Sequence, residues 1–347
     1  MSQQPGARKN GKHRFRWPRW AWWLLTVLVA VLTVFLVFSQ RRELEEALHL
    51  IARADPSRLA VAAVCEAVSL LCLAAVQRRL LLAGGTRWSL RRWTAIMLGA
   101  NAMAGAIPGG AAMATAWNYE QLRRRGVEGS LAAAVLAVAG LLSVASLGVL
   151  MVLGLFTAGA KGTAALVHPV AGVLIALFLS VSAGLLLVRS PAVRDRVRRS
   201  WTGLGRRNGR IERLQKGLAH TVSQVRGLEP GVRPWLPPLG LALLNWLFDV
   251  ACLLACMWAM DIDPPWHGLL LAFSLAQIPG SLRLTPGSLG VIEASMAALL
   301  VLYGMPTGPA IAATLLYRIF SFWLLQPIGW ASWLVVSRQK AEEPAAR

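Results

Sequence analysis

The stretch Gln277-Ile278-Pro279-Gly280-Ser281-Leu282-Arg283-Leu284-Thr285-Pro286-Gly287-Ser288-Leu289-Gly290-Val291-Ile292-Glu293 decides how this chain is built. It parts two apolar runs, 266–276 and 294–303. Neither run reaches the roughly 20 apolar residues that a bilayer crossing needs. As half-helices they can dip into a membrane, meet at the Pro/Gly break and leave on the side they entered. Backbone that departs from helix at membrane depth is tolerated only where protein or a water-filled cavity satisfies it. Arg283 in the break and Glu293 just beyond it are ionisable groups in such a place, which points to a substrate or ion site. The alternative is a surface loop between two short interfacial helices.

Composition places the stretch in a membrane. Of 347 residues, 56% are hydrophobic and 15% charged, against about 25% charged in soluble domains. The formal charge of +20 comes from arginines in loops beside apolar runs, where they set topology and meet anionic head groups. Membrane lipids, rather than nucleic acid, are the expected partners. Cys65, Cys72, Cys252 and Cys256 all lie in apolar runs without paired CxxC spacing, so they read as small buried hydrophobes. No metal-ligand cluster, P-loop, dinucleotide fingerprint or Ser-His-Asp set is visible. The sequence therefore predicts no cofactor, no metal site and no catalytic residue.

Working outward gives an all-α polytopic protein. Residues 1–19 form a basic tail, and 20–58 hold a first span near 20–38 and an external connection. Residues 59–188 hold a span at 59–82, a short broken pair near 93–122 interrupted at Pro108-Gly109-Gly110, a span at 130–156, a short external turn at 157–163, and a further span at 164–188. Residues 189–234 are a basic loop that enforces topology or binds the membrane surface. Residues 235–336 hold a span at 235–260, the opening stretch within a pair near 265–304, and a last span at 309–336; 337–347 form a tail. The sum is about six transmembrane helices plus two re-entrant hairpins. Arginine placement puts both termini in the cytoplasm of a multi-pass cytoplasmic-membrane protein.

The two hairpins belong to a repeat. Pro108-Gly109 and Pro286-Gly287, Gly126 and Gly304, and Ala132 and Ala310 are each 178 positions apart (286 − 108). The same shift carries the span at 59–82 onto 237–260. A span–hairpin–span unit thus occurs twice. The first unit begins outside and the second inside, so the repeats are inverted, a plan that puts substrate sites at mid-depth.

Few residues in the apolar runs can carry chemistry. Asp249, Glu293 and Arg318 fall within apolar helices, where an unpaired charge costs at least about 2.5–3.5 kcal/mol. Asp249 or Glu293 can pair with Arg318, and Arg283 with either. Such a pair pins helices together, or it serves a substrate, with Arg283 and Arg318 attracting a phosphate or carboxylate and the acids balancing charge or relaying protons. Glu66 and the amide of Asn101 complete the candidate set. Asn245 reads as interhelical glue. The candidate helix breaks are Pro108, Gly109, Gly110, Pro279, Pro286, Gly287 and Gly290.

The run from Pro286 to Glu293, then Tyr303-Gly304-Met305-Pro306, Ala310, Ala313 and Arg318, resembles the second-half signature of the lysylphosphatidylglycerol synthase/flippase transmembrane domain family. Asn101, Pro108, Gly109, Gly110 and Gly126 resemble its first-half signature. Ala111, Ala112 and Ala114 stand where that family often has an acid and an arginine. The resemblance spans roughly 59–336 and implies paired re-entrant hairpins and translocation of a modified phospholipid. Residues 337–347 leave no room for the soluble aminoacyl-transferase domain of fused members, so no such activity is expected. The reading is a flippase-like handler of a phospholipid or lipid-linked envelope precursor with an anionic head group. A non-transporting scaffold for an envelope-synthesis enzyme such as a glycosyltransferase is the alternative, and an intramembrane lipid-modifying enzyme a third. Oligomeric state is not legible.

Overall fold

A computed structural model describes residues 41–107, 109–163, 172, 235–281 and 285–338. The spans expected at 20–38 and 164–188, the basic segments 1–19 and 189–234, Pro108 and Arg283 lie outside the described residues. Within them every regular element is helical. In order they are α1 (Arg41–Ala52), α2 (Pro56–Ala83), α3 (Leu90–Ala106), α4 (Gly110–Arg124), α5 (Gly129–Thr163), α6 (Leu236–Ala259), α7 (Leu269–Ser281), a 3₁₀ turn (Pro286–Ser288), α8 (Val291–Leu302), α9 (Thr307–Arg318), a π turn (Ile319–Trp323) and α10 (Leu325–Arg338). Among the described residues, four segments are long and apolar enough to cross a membrane: Pro56–Ala83, Leu131–Ala158, Leu236–Ala259 and the continuous Thr307–Arg338.

Local chemistry sets the ends. α2 starts with Pro56 in its first turn and Asp55 as N-cap, whose carboxylate accepts from the Ser57 amide at 2.8 Å, an orphan donor of the first turn. The Ser57 hydroxyl also donates to it, at 2.6 Å. These bonds hold the Asp55 carboxyl below the usual carboxylate range, the hydroxyl contributing most. α3 begins at Ser89, whose hydroxyl accepts from the Arg92 amide. α4 follows Gly109 in the left-handed region (φ 69°) and ends with Arg123 and Arg124, where cations suit the carbonyl end of a helix.

Packing is reciprocal. α2 and α6 form the most extensive helix pair. The first arm of the early pair, α3, lies on α10, and the first arm of the later pair, α7, lies on α5. Each broken pair therefore leans on the long helix that closes the other half of the chain. Both crossings use a glycine. A Cβ on Gly154 of α5 would sit 2.7 Å from the Leu271 amide nitrogen, and one on Gly329 of α10 would sit 2.5 Å from the Leu98 carbonyl oxygen. Small residues let helix backbones approach where lipid offers no hydrophobic drive. Across α2 and α6, the Asn245 amide donates to the Ser69 hydroxyl (2.7 Å) and carbonyl (3.2 Å), and Ser69 Oγ donates to the Asn245 carbonyl (3.0 Å).

Two expectations are corrected. No external turn breaks the chain at 157–163; α5 continues through Thr163. That stretch has no proline, and Thr157 bonds back to the Gly154 carbonyl at 3.0 Å, a contact that bends a helix without ending it. Pro279 is not a break either. It lies inside α7, which runs to Ser281. Proline removes one donor and crowds the turn before it, and two residues from the helix end at Ser281 that disruption remains local. The apolar run before the break also becomes helical only at Leu269, after a turn at 266–268.

Candidate functional site

The turn joining α7 to α8 is held open by side chains rather than by helix. Gly287 and Ser288 have φ of 60° and 55°, and Gly290 has 79°, so the α-helical ladder is interrupted between α7 and α8. Ser288 Oγ donates to the Gly280 carbonyl at 2.6 Å, and Thr285 Oγ1 to the Leu289 carbonyl at 2.9 Å. The third support comes from another helix. Arg318, at the end of α9 and 5% exposed, donates from Nη2 to the Gly287 carbonyl at 2.8 Å and from Nε to Glu293 Oε1 at 2.7 Å. Its guanidinium carbon lies 4.6 Å from the centre of the Phe322 ring, a cation–π distance. The π turn after Arg318, closed by the Leu324 amide on the Ile319 carbonyl at 2.9 Å, places that ring there.

Beside this turn lies a cavity of about 640 Å³, within the size range of small-ligand sites. Its walls come from α2 (Glu66, Ser69), α3 (Asn101), α5 (Ser143), α6 (Asn245, Trp246, Asp249), α7 (Gln277), the turn (Gly287, Ser288) and α9 (Tyr317, Arg318). Glu66 is the eleventh residue of α2, roughly 15 Å in at 1.5 Å per residue. Arg318 is the twelfth of α9, which is close to the same depth. A smaller cavity of about 250 Å³ adjoins it between α2, α3 and α4, and the two share Leu70, Leu73 and Asn101.

The structure brings Glu66, Asn101, Asp249 and Arg318 to one cavity, with Glu293 behind Arg318. Of the pairings open to Arg318, Glu293 is the one in contact. Asp249 instead accepts a hydrogen bond from the Tyr317 hydroxyl at 2.8 Å, and Gln277 Nε2 donates to that same hydroxyl at 3.3 Å. Gly109 and Gly110 sit at the α3–α4 turn, away from the cavity, and Glu120 pairs with Arg124 on an exposed face. Asn245 bonds across α2 and α6 and also faces the cavity. Tyr317, Gln277, Ser69 and Trp246 were not legible as site residues. Trp246 Nε1 donates to the Ser143 carbonyl at 3.0 Å, joining α6 to α5. The one available signal was that Tyr317 precedes Arg318.

Among the described residues the centre holds three carboxyls (Glu66, Asp249, Glu293) and one guanidinium. Arg318 has two donors committed to the fold, so its first role is to tie α9 to the broken turn. The cavity wall presents hydrogen-bonding groups and charge among apolar side chains.

Comparison with known proteins agrees with this architecture. A family model described as the lysylphosphatidylglycerol synthase TM region matches residues 23–329. A UPF0104 membrane protein of Methanothermobacter thermautotrophicus is 35% identical over 89 residues, which make up 26% of this chain and 27% of that protein. The matched stretch thus spans about a quarter of that relative's length. This membrane protein, helical throughout its described elements and with a charged cavity beside a broken helix pair, belongs to the lysylphosphatidylglycerol synthase transmembrane-region family.

Proposed function

We propose that this protein moves a phospholipid or lipid-linked envelope precursor between the leaflets of the cytoplasmic membrane, with both termini in the cytoplasm. The observation that carries the reading is the cavity of about 640 Å³, lined by buried acids and an arginine within a bundle of apolar helices. In this reading α3–α4 and α7–α8 are re-entrant hairpins entering from opposite faces. The reciprocal packing of α3 on α10 and α7 on α5 supports an inverted repeat related by an axis in the membrane plane. The head group crosses through the cavity while the acyl chains stay along the apolar helix faces. Arg318 and Arg283 attract the anionic part of the head group, and the acids offset their charge. No covalent step is required.

The test is translocation by purified protein in liposomes carrying labelled lipid in one leaflet. Faster loss of asymmetry for at least one envelope lipid, reduced in Asp249→Asn, is the expected result. Unchanged asymmetry for every class tried, together with co-purification of an envelope glycosyltransferase, overturns it in favour of a scaffold.

A further inference from the structure

Glu66 has no place in the ion pair that organises the rest of the cavity. It is 6% exposed, and its Oε2 is buried without a hydrogen-bond partner. It lines the cavity together with Asp249, and the two carboxyls repel one another. No cation among the described residues touches it, because Arg318 is spent on Glu293 and the Gly287 carbonyl. A buried carboxylate in this position has no contacting counter-charge among the described residues and only a weak thiol donor in reach, less than an ionised acid requires. The groups around it are few. On its own helix is Cys65. From α6 come Asp249, Cys252 (whose thiol is in hydrogen-bonding reach of the Glu66 carboxyl) and Cys256. From α9 come Tyr317 and Arg318, and Glu293 of α8 lies behind Arg318. From α3, α5 and α7 the lining is uncharged, its polar members being Asn101, Ser143, Gln277 and Ser281.

Asp249 differs from Glu66 in one respect. Its Oδ1 is already occupied as an acceptor for the Tyr317 hydroxyl. Of the two carboxyls, Glu66 is thus the one with a buried oxygen that has no hydrogen-bond partner.

We propose that Glu66 is a proton-binding site: its carboxyl, on the cavity wall, takes up one proton and releases it again, changing the cavity by one charge. Resting on the lipid-translocation reading, that change couples head-group movement to protons. The protonated acid lets an anionic head group approach the Arg318 side, and deprotonation expels it. Glu293 stays on Arg318 and takes no part in the exchange.

Infrared difference spectroscopy on the full chain in nanodiscs, stepped from alkaline to acid, tests the site without any lipid-transport readout. The expected result is a protonated-carboxyl carbonyl band that titrates in the wild type, is lost in Glu66→Gln and survives in Asp249→Asn. Absence of the band in the wild type, its persistence in Glu66→Gln, or its loss in Asp249→Asn alone overturns the assignment. If Glu66→Gln does not fold by size-exclusion profile, Tyr317→Phe replaces it. A shifted titration midpoint supports the site, and an unmoved one overturns it. Coupling is read separately in liposomes, where the wild-type rate should depend on pH and the Glu66→Gln rate should not. A titrating band in a protein that moves no lipid keeps the proton site and sinks only the transport reading.

Discussion

Arg318 Nε donates to Glu293 Oε1 at 2.7 Å, and the same guanidinium reaches the Gly287 carbonyl. One side chain thus links α9, α8 and the broken turn between α7 and α8. Both partners are largely buried, at 7% and 18% side-chain exposure. Removing one member of a buried pair leaves the other uncompensated, at about 3–5 kcal/mol. Arg318→Ala should therefore lower the thermal unfolding midpoint in detergent more than Glu293→Gln, which keeps an acceptor. Arg318→Lys should fail to restore it, because a lysine cannot match the two divergent bonds of a planar guanidinium.

Gly287 and Gly109 have nearly the same backbone conformation, φ 60° and 69°, with different surroundings. A Cβ on Gly109 meets nothing within 4 Å, whereas one on Gly287 runs into the Phe322 ring. Gly109→Ala should cost only the left-handed strain of about 1–2 kcal/mol. Gly287→Ala adds overpacking of about 1–3 kcal/mol and displaces the ring stacked on Arg318. Unfolding midpoints of the two variants, measured side by side, should differ in that order.

Asn245 and Ser69 exchange hydrogen bonds across α2 and α6. Interhelical bonds of this kind average about 0.6 kcal/mol and reach about 1.7. Asn245→Ala should destabilise modestly, and the double variant with Ser69→Ala should cost less than the two single effects added. Strict additivity in a double-mutant cycle would show that the pair does not couple the helices.

At the end of α2 opposite the basic flank, Arg58 donates to Asp261 at 2.5 Å and to the Trp258 carbonyl at 2.7 Å, and stacks 4.8 Å from the Trp258 ring centre. Asp261 is 83% exposed in its side chain, so the ion pair itself contributes little. Arg58→Ala should lower stability more than Asp261→Asn, and only the latter effect should vanish in high salt. Asp55 beside it has a carboxyl held below its ordinary value. Its stabilisation is full above the unfolded carboxylate range and is lost as pH falls through the lowered folded value. Asp55→Asn should flatten that acid limb of a melting-point-versus-pH curve.

Much of the architecture was legible locally. Apolar runs and flanking arginines located α2, α6 and the last span, because hydropathy and charge act segment by segment. The glycines at 109, 287 and 290 marked where the backbone takes positive φ, since only the missing Cβ makes that cheap. Pro279 misled for the same local reason: a proline marks a lost donor, but whether the helix stops there depends on how near its end already is.

What the amino-acid order determined by itself was the membrane setting, the two short broken helix pairs and the few charges among them. The pairing of those charges was decided only in three dimensions. Arg318 chose Glu293 over Asp249, Tyr317 claimed Asp249, and among the described residues no cation contacts Glu66. Each outcome depends on how α2, α6, α8 and α9 cross, and crossing is fixed by contacts between residues far apart in the chain that no periodicity records.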